Sequence, residues 1–224
     1  MSCHTEAMDI FLTEATLSRV LIVAEGIGVL AFAMSGLLLA ARKQLDVVGV
    51  VVLVFLTAFG GGTLRDVLLD RRPFFWVDNE GWVWAVIALA VIGPIVLRSR
   101  HLEPTARAMQ WPDALGLGLF AASGTQIALG LGQSPLIATL MGVITAVFGG
   151  LIRDVLVNEM PWVISDYQLY SVIAFAGGWL VWGAGQLGLA PVVAVLIGAL
   201  VITVVRMLAI GFRWRLPGWK LESS

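Results

Sequence analysis

The chain has 224 residues, of which 59% are hydrophobic and 13% charged, with a formal net charge of −1. A soluble domain carries roughly 25% charge and 45–50% apolar residues, so most of this chain is expected inside a membrane, and no basic tract points to nucleic acid. Cys3 is the only cysteine, which excludes an intrachain disulfide and a cysteine zinc cluster; His4 and His101, the only histidines, lie far apart outside the apolar runs.

Residues 1–19 form a polar N-terminal segment in which Glu6, Asp9 and Glu14 precede any Lys or Arg. A secretory signal needs a basic start, so the first apolar run is expected to be a retained helix. A spanning helix needs about 20 mostly apolar residues. Seven stretches qualify: 20–41, 47–69, 82–97, 113–131, 135–157, 169–187 and 191–212. The fold class expected is an all-α membrane protein with seven transmembrane helices.

Phe59-Gly60-Gly61-Gly62-Thr63-Leu64-Arg65-Asp66 in the second helix returns as Phe148-Gly149-Gly150-Leu151-Ile152-Arg153-Asp154 in the fifth, at an offset of 88 positions (154 − 66). The same offset carries Ser35-Gly36 onto Ser123-Gly124, Phe32-Ala33 onto Phe120-Ala121, Pro73 onto Pro161, Asp78 onto Asp166 and Glu25 onto Asp113. The chain is therefore organised as repeat 1 (20–97, helices 1–3), an inner loop (98–112), repeat 2 (113–187, helices 4–6), a seventh helix (188–212) and a tail (213–224). Arg42, Lys43, Arg98, Arg100, Arg107, Arg213, Arg215 and Lys220 fall on one side, against Arg19, Arg71 and Arg72 on the other. The positive-inside rule then places the N-terminus outside and the C-terminus in the cytoplasm. Three helices are an odd number, so the second copy enters the membrane inverted. Inverted 3+3 repeats are characteristic of transport proteins.

Gly60, Gly61 and Gly62 each cost about 1 kcal/mol against alanine in a helix interior. Two readings stand: a kinked or unwound pore-lining segment facing protein or water, or close packing through small residues. Triple glycine exceeds what packing requires, which favours the break, and Gly149-Gly150 repeats the argument. Arg65, Asp66, Arg153 and Asp154 are ionisable groups near the ends of apolar helices, where they serve structural pairing, a permeation path, or both. Neighbours in sequence do not face one another on a helix, so Arg65 and Asp66 are each expected to seek another partner. Ser35, Gly36, Ser123, Gly124, Thr125 and Gln126 are small or polar groups near mid-membrane, suited to helix contacts first and to replacing hydration second. Asp113, next to Pro112, reads as a helix N-terminal residue. Trp76, Trp82, Trp84, Trp111 and Trp162 cluster at predicted helix ends as an interfacial belt, and Arg213-Trp214-Arg215 with Trp219-Lys220 reads as an inner-surface anchor.

The three-plus-three-plus-one plan and the doubled Gly-Gly-x-x-Arg-Asp motif resemble the prokaryotic branch of the trimeric intracellular cation channel (TRIC) family, also labelled glycine transporters, over residues 20–212. The resemblance implies a homotrimer in a prokaryotic cell membrane. Each subunit would hold its own pore between the first, second, fourth and fifth helices, permeable to K⁺ and other monovalent cations such as Na⁺. Lipids would be the other partner and no cofactor is implied. A Thr-Val-Gly-Tyr-Gly filter is absent from the sequence, so a carbonyl ladder is not expected. The alternative is a secondary transporter of glycine or another small solute. Because Glu25, Asp66, Asp113 and Asp154 all fall toward predicted helix ends, no mid-membrane acid is placed for proton coupling, which favours the channel. No Ser/His/Asp set or metal cluster supports an enzyme.

Overall fold

The structure is a computed structural model and describes residues 2–99, 105–165 and 169–214. Arg100, His101, Asp166, Arg215, Trp219 and Lys220 lie outside the described residues. Nine helices are present among those described: α1 (Ser2–Arg42), α2 (Val47–Leu68), α3 (Phe75–Asp78), α4 (Glu80–Ser99), α5 (Ala106–Gly130), α6 (Pro135–Leu156), α7 (Trp162–Ser165), α8 (Tyr170–Gln186) and α9 (Pro191–Phe212). The two one-turn helices, α3 and α7, stand at matching places in the two repeats.

Local chemistry sets the starts. The Asp46 carboxylate accepts from Gly49 N at 2.7 Å ahead of α2, and the Thr105 hydroxyl accepts from Ala108 N at 3.1 Å ahead of α5. Ser134 holds Ile137 N at 3.4 Å, with Pro135 opening α6. Each side chain satisfies one of the amides that a first turn leaves unbonded.

Two boundaries differ from expectation. Helix α1 extends back from Val20 to Ser2, through the segment expected as a polar lead-in. Helix α5 starts at Ala106, not near Asp113, because Thr105 supplies the cap; Pro112 is carried inside the helix. Asp113 is therefore an interior residue, free to act on something other than its own helix end.

Among the described residues, five segments are long and apolar enough to cross a membrane: Glu14–Arg42, Val47–Leu68, Glu80–Arg98, Pro135–Leu156 and Pro191–Phe212. Helix α8, at 17 residues, is shorter than these. Helix α5 carries Arg107, Gln110, Asp113, Ser123, Thr125 and Gln126. It tolerates them because α1, α6, α8 and α9 all pack on it, so little of its surface needs to be apolar. The outward faces do: Ile95, Leu196 and Leu200 are each more than half exposed.

The core lies where α1, α2, α5 and α6 meet. A Cβ on Gly61 would stand 2.0 Å from the Thr145 carbonyl oxygen, and one on Gly149 would stand 2.4 Å from the Thr57 carbonyl oxygen. Gly61 and Gly149 are repeat mates, as are Thr57 and Thr145, so the contact is reciprocal. The later residue of α2 meets the earlier residue of α6, and the two helices run antiparallel. Helices α1 and α5 repeat the arrangement. Gly28 faces the Phe120 ring and Gly116 faces the Phe32 ring, and those two rings stack at 5.3 Å.

The two halves are dressed differently. Helix α9 covers the α5–α8 seam, with Gly118 against Thr203 and Ala199 and Gly177 against Ile202. The matching seam between α1 and α4 has no such cover among the described residues. It is an apolar groove of about 500 Å³ lined by residues including Leu30, Met34, Leu89 and Ile92.

Candidate functional site: paired arginine clusters about a glycine crossing

Helix α2 runs unbroken through Gly60, Gly61 and Gly62, and α6 through Gly149 and Gly150. The expected unwinding is absent. What the motif serves is close approach, and unequally: Gly61 and Gly149 carry the contact. A Cβ on Gly60 would meet only the Ile152 Cδ1 atom at 3.0 Å, and one on Gly62 only the Arg65 guanidinium at 4.0 Å. Gly36 and Gly124 extend the crossing, lying against Thr57 and Thr145 respectively. Thr57 and Thr145 bond back to Leu53 and Met141 carbonyls, each at 2.6 Å, so their hydroxyls are satisfied within their own helices.

One motif arginine lies beyond each end of this crossing. Arg65 and Arg153 each sit four residues past their glycine contact on antiparallel helices, which separates them by roughly 18 Å along the pair. Both are fully buried, and so are Asp66 and Asp154. The expectation that Arg65 and Asp66 face apart is not met. Arg65 Nε donates to Asp66 Oδ1 at 2.9 Å and its Nη2 to the same oxygen at 2.7 Å, while its Nη1 donates to the Glu25 carboxylate. Arg153 Nε donates to Asp154 Oδ1 at 2.8 Å and Nη1 to Asp113 Oδ1 at 2.8 Å. The long guanidinium arm folds back along the helix and reaches its neighbour, a path the Cβ spacing rule does not include.

The second oxygen of each aspartate has a further use. Asp66 Oδ2 accepts from Phe75 N and Asp154 Oδ2 from Trp162 N, both at 3.1 Å. These amides open α3 and α7, so each aspartate joins a motif arginine to the first turn of a short helix. With opposite charges in contact and the remaining lone pairs bonded, the burial is physically tolerable.

Ser35 and Ser123 are both buried but differently bonded. Ser35 Oγ accepts from Arg153 Nη1 and donates to the Met109 carbonyl at 3.3 Å. Ser123 Oγ has no partner among the described residues. Thr125 bonds back to Ala121 O at 2.8 Å. Gln126 lines a separate cavity of about 330 Å³ at the α5–α6 turn, together with Gln133, Trp182 and Gln186.

The structure also recruits residues that the motifs did not single out. The Trp162 ring lies under the Arg153 guanidinium at 4.6 Å, and the Tyr170 ring under that of Arg206 at 4.7 Å. Trp162 and Trp76 are therefore not simple belt residues; Trp76 Nε1 donates to Thr63 Oγ1 at 3.1 Å, and the Trp82 ring packs on Gly26. Trp84 and Trp111 are mostly exposed. Arg206 carried a signal in the sequence, since an arginine inside an apolar helix marks function or a specific partner. Tyr170, at an expected helix start, carried none. No group of three or more metal-ligating side chains occurs among the described residues.

The profile of the glycine transporter family matches the chain twice, over residues 22–98 and 110–186, so the family unit is one repeat and the chain holds two. The UPF0126 inner membrane protein YadS of Escherichia coli strain K12 is 36% identical over 203 residues, covering 88% of this chain and 95% of that protein. The crystal structure of the TRIC trimeric intracellular cation channel orthologue from Rhodobacter sphaeroides is 36% identical with a TM-score of 0.79, covering 87% of this chain and 99% of that one. A prokaryotic TRIC channel crystallised in 0.5 M KCl is 28% identical with a TM-score of 0.81, covering 89% of this chain and all of the other. With both repeats matched by the family profile and the helix arrangement matched in space, this chain is an integral membrane protein that belongs to the glycine transporter family, that of the prokaryotic TRIC channels.

Proposed function

We propose that the chain is a cation channel permeable to K⁺ and other monovalent cations, with one path per subunit between α1, α2, α5 and α6. The observation that carries this reading is the pair of buried ionic clusters lying beyond opposite ends of a crossing between antiparallel repeats. Glu25, Asp66, Asp113 and Asp154 supply four carboxylates to the interior of the bundle, met by the buried guanidinium groups of Arg65 and Arg153 and by the part-exposed Arg71, so carboxylates stand at both mouths, which suits passing cations over anions. The antiparallel pairing of α2 with α6 and of α1 with α5 supports seven spans in an inverted 3+3 arrangement plus α9. The path is read as closed here, since Gly61, Gly149, Phe32 and Phe120 pack directly at the crossing.

Three further properties belong to the same reading. The subunit assembles as a homotrimer, as the matched trimeric channel does by its description. The N-terminus lies outside and the C-terminus in the cytoplasm, from the count of flanking Lys and Arg. No resident cofactor is needed, because the permeant ion is the cargo.

Planar-bilayer recording of the purified protein in asymmetric KCl tests the function, run beside radiolabelled glycine uptake into vesicles. Single-channel steps reversing toward the K⁺ equilibrium potential are expected. Reversal toward the Cl⁻ potential, or saturable glycine uptake without steps, would overturn the channel in favour of an anion path or a carrier.

A further inference from the structure

Helix α9 has no mate in the repeat, and by its packing it is a cover over the α5–α8 seam. One of its residues does not suit a cover: Arg206 is buried inside this apolar helix, where a charge is expensive and marks a specific use. Its guanidinium lies over the Tyr170 ring at 4.7 Å. The Tyr170 hydroxyl stands 3.6 Å from where a Cβ on Gly150 would be, and Asp113 Oδ1 and Arg153 Nη2 stand 3.5 and 3.8 Å from the same point. Helix α9 therefore sets a cation on the ring whose hydroxyl reaches the Arg153 cluster.

The matching corner of repeat 1 obtains a cation by another route. There Arg71 stands 3.4 Å from Asp66 and 3.8 Å from Glu25, so two carboxylates are met by two guanidinium groups. The backbone that places it is kept in repeat 2. Asp70 and Asn158 both take positive φ, 50° and 56°; Arg71 N donates to the Asp66 carbonyl at 2.8 Å and Glu159 N to the Asp154 carbonyl at 2.9 Å. The side chain is not kept: Glu159 carries the opposite charge, and Tyr170 stands where repeat 1 has Trp82 (170 − 82 = 88). Repeat 2 has lost the loop arginine and gained a covering helix that carries one. The two differences compensate.

We propose that Arg206 is the second cation of the Arg153 cluster, so that α9 supplies from inside the bundle, through Tyr170, the positive charge that Arg71 supplies from the loop in repeat 1. Arg206 is thus a positioning residue that offsets Asp113 and Asp154. The consequence for conduction rests on the reading of a path between α1, α2, α5 and α6, with this cluster at one mouth: there Arg206 lowers the local concentration of cations that the two carboxylates attract.

The test moves the charge back to the loop. Arg206→Met keeps much of the apolar stem and should lower the thermal midpoint in detergent by about 5 °C, as loss of a buried cation–ring contact and its charge would. Adding Glu159→Arg, at the place of Arg71, should recover part of that loss; adding Glu159→Leu, which breaks the same Lys43 pair without supplying a cation, should not. If Arg206→Met aggregates alone, the two double variants are compared by recovery of monodisperse protein. Equal midpoints, or equal recoveries, for the two double variants overturn the proposal. In planar bilayers, Arg206→Met should raise the single-channel K⁺ current about twofold in about 50 mM KCl, the effect of one unit charge roughly 8 Å away in water. It should leave the current near the parent value in about 1 M KCl, where charges are screened over about 3 Å, and Arg206→Lys should keep the parent current in both. A change of equal size in the two salts, or a lysine current equal to that of methionine, means that packing and not charge is at work and overturns the proposal. The midpoints need no current: rescue by Glu159→Arg in a chain that passes no cation sinks the channel reading alone, and conduction without rescue sinks this one alone.

Discussion

Arg65 and Arg153 descend from one motif and are held by the same kinds of partner, yet their clusters differ in charge and in closure. At Arg65 the carboxylates of Glu25 and Asp66 are met by a second cation, Arg71, which stands 3.4 Å from Asp66 and 3.8 Å from Glu25 with its side chain 35% exposed. Two positive groups face two negative ones. The position matching Arg71 is Glu159 (159 − 71 = 88), and it turns away to pair with Lys43 at 2.8 Å. At Arg153, Asp113 and Asp154 both bond the motif guanidinium, and the cluster is closed by the Trp162 ring, the Ser35 hydroxyl and Tyr170, whose ring lies under the buried Arg206. Duplication has kept the ion pair and changed what finishes it. One copy is completed by a one-third-exposed arginine reaching in from the loop, the other by groups sealed inside the bundle.

That contrast is most sharply broken by removing the motif arginines. Deleting one partner of a buried ion pair typically costs 3–5 kcal/mol, because the other charge is left buried. Arg153→Ala is expected at the top of that range, because Asp113 and Asp154 both lose the guanidinium they bond. Arg65→Ala should cost about 2 kcal/mol less, since Arg71 already touches both of its carboxylates and remains. Denaturation in mixed detergent micelles, followed by the change in helix content, measures the two losses. Equal losses would mean that Arg71 lends nothing and that the clusters are energetically alike.

The glycines offer a second cut, within one motif. Gly61→Ala drives a methyl into the Thr145 carbonyl, a backbone atom that cannot rotate away, and Gly149→Ala does the same to Thr57. Overpacking of this kind costs typically 1–3 kcal/mol. Gly62→Ala meets only the Arg65 guanidinium, at ordinary contact distance, and should gain up to about 1 kcal/mol from better helix propensity. If single-channel current falls in Gly61→Ala and Gly149→Ala but survives in Gly62→Ala, the crossing rather than glycine content governs the path. The reverse order would restore a role for backbone flexibility.

Much of this architecture is legible in the sequence, since an apolar run declares a helix and a repeat of 88 positions declares a duplication. The expected helix at 191–212 coincides with α9, and that at 135–157 with α6 to within one residue. The early start of α1 was hidden because Glu6, Asp9 and Glu14 lower local hydropathy without breaking a helix. The true start of α5 was hidden by Pro112, which usually marks a first turn and here sits inside one. Within the site, Arg65 and Arg153 stood out as charges in apolar surroundings. Their partners did not: that Glu25 and Asp113 answer them depends on how α1 packs against α2 and α5 against α6, a matter of three-dimensional register. The glycines misled for a related reason. Glycine lowers helix propensity locally, but a helix enclosed by others is held by its packing, and there the absent side chain permits contact instead of breaking the turn.

The smallest effect expected is the one that probes the comparison most directly. Arg71→Ala alone removes a side chain about one-third exposed, and exposed pairs contribute only about 0–1 kcal/mol. Glu159→Ala, which frees Lys43 at the corresponding place, should fall in the same range. The two part company in combination. Arg71→Ala added to Arg65→Ala strips every cation from Glu25 and Asp66, so the double variant should lose more than the two single losses together, with a coupling of about 1–2 kcal/mol as expected for residues sharing a partner. Glu159→Ala added to Arg153→Ala touches a separate pair, and its loss should simply add to the other. A strictly additive Arg65/Arg71 cycle would show that the second arginine is a bystander, and the two clusters would then differ in their surroundings but not in how their charges are met.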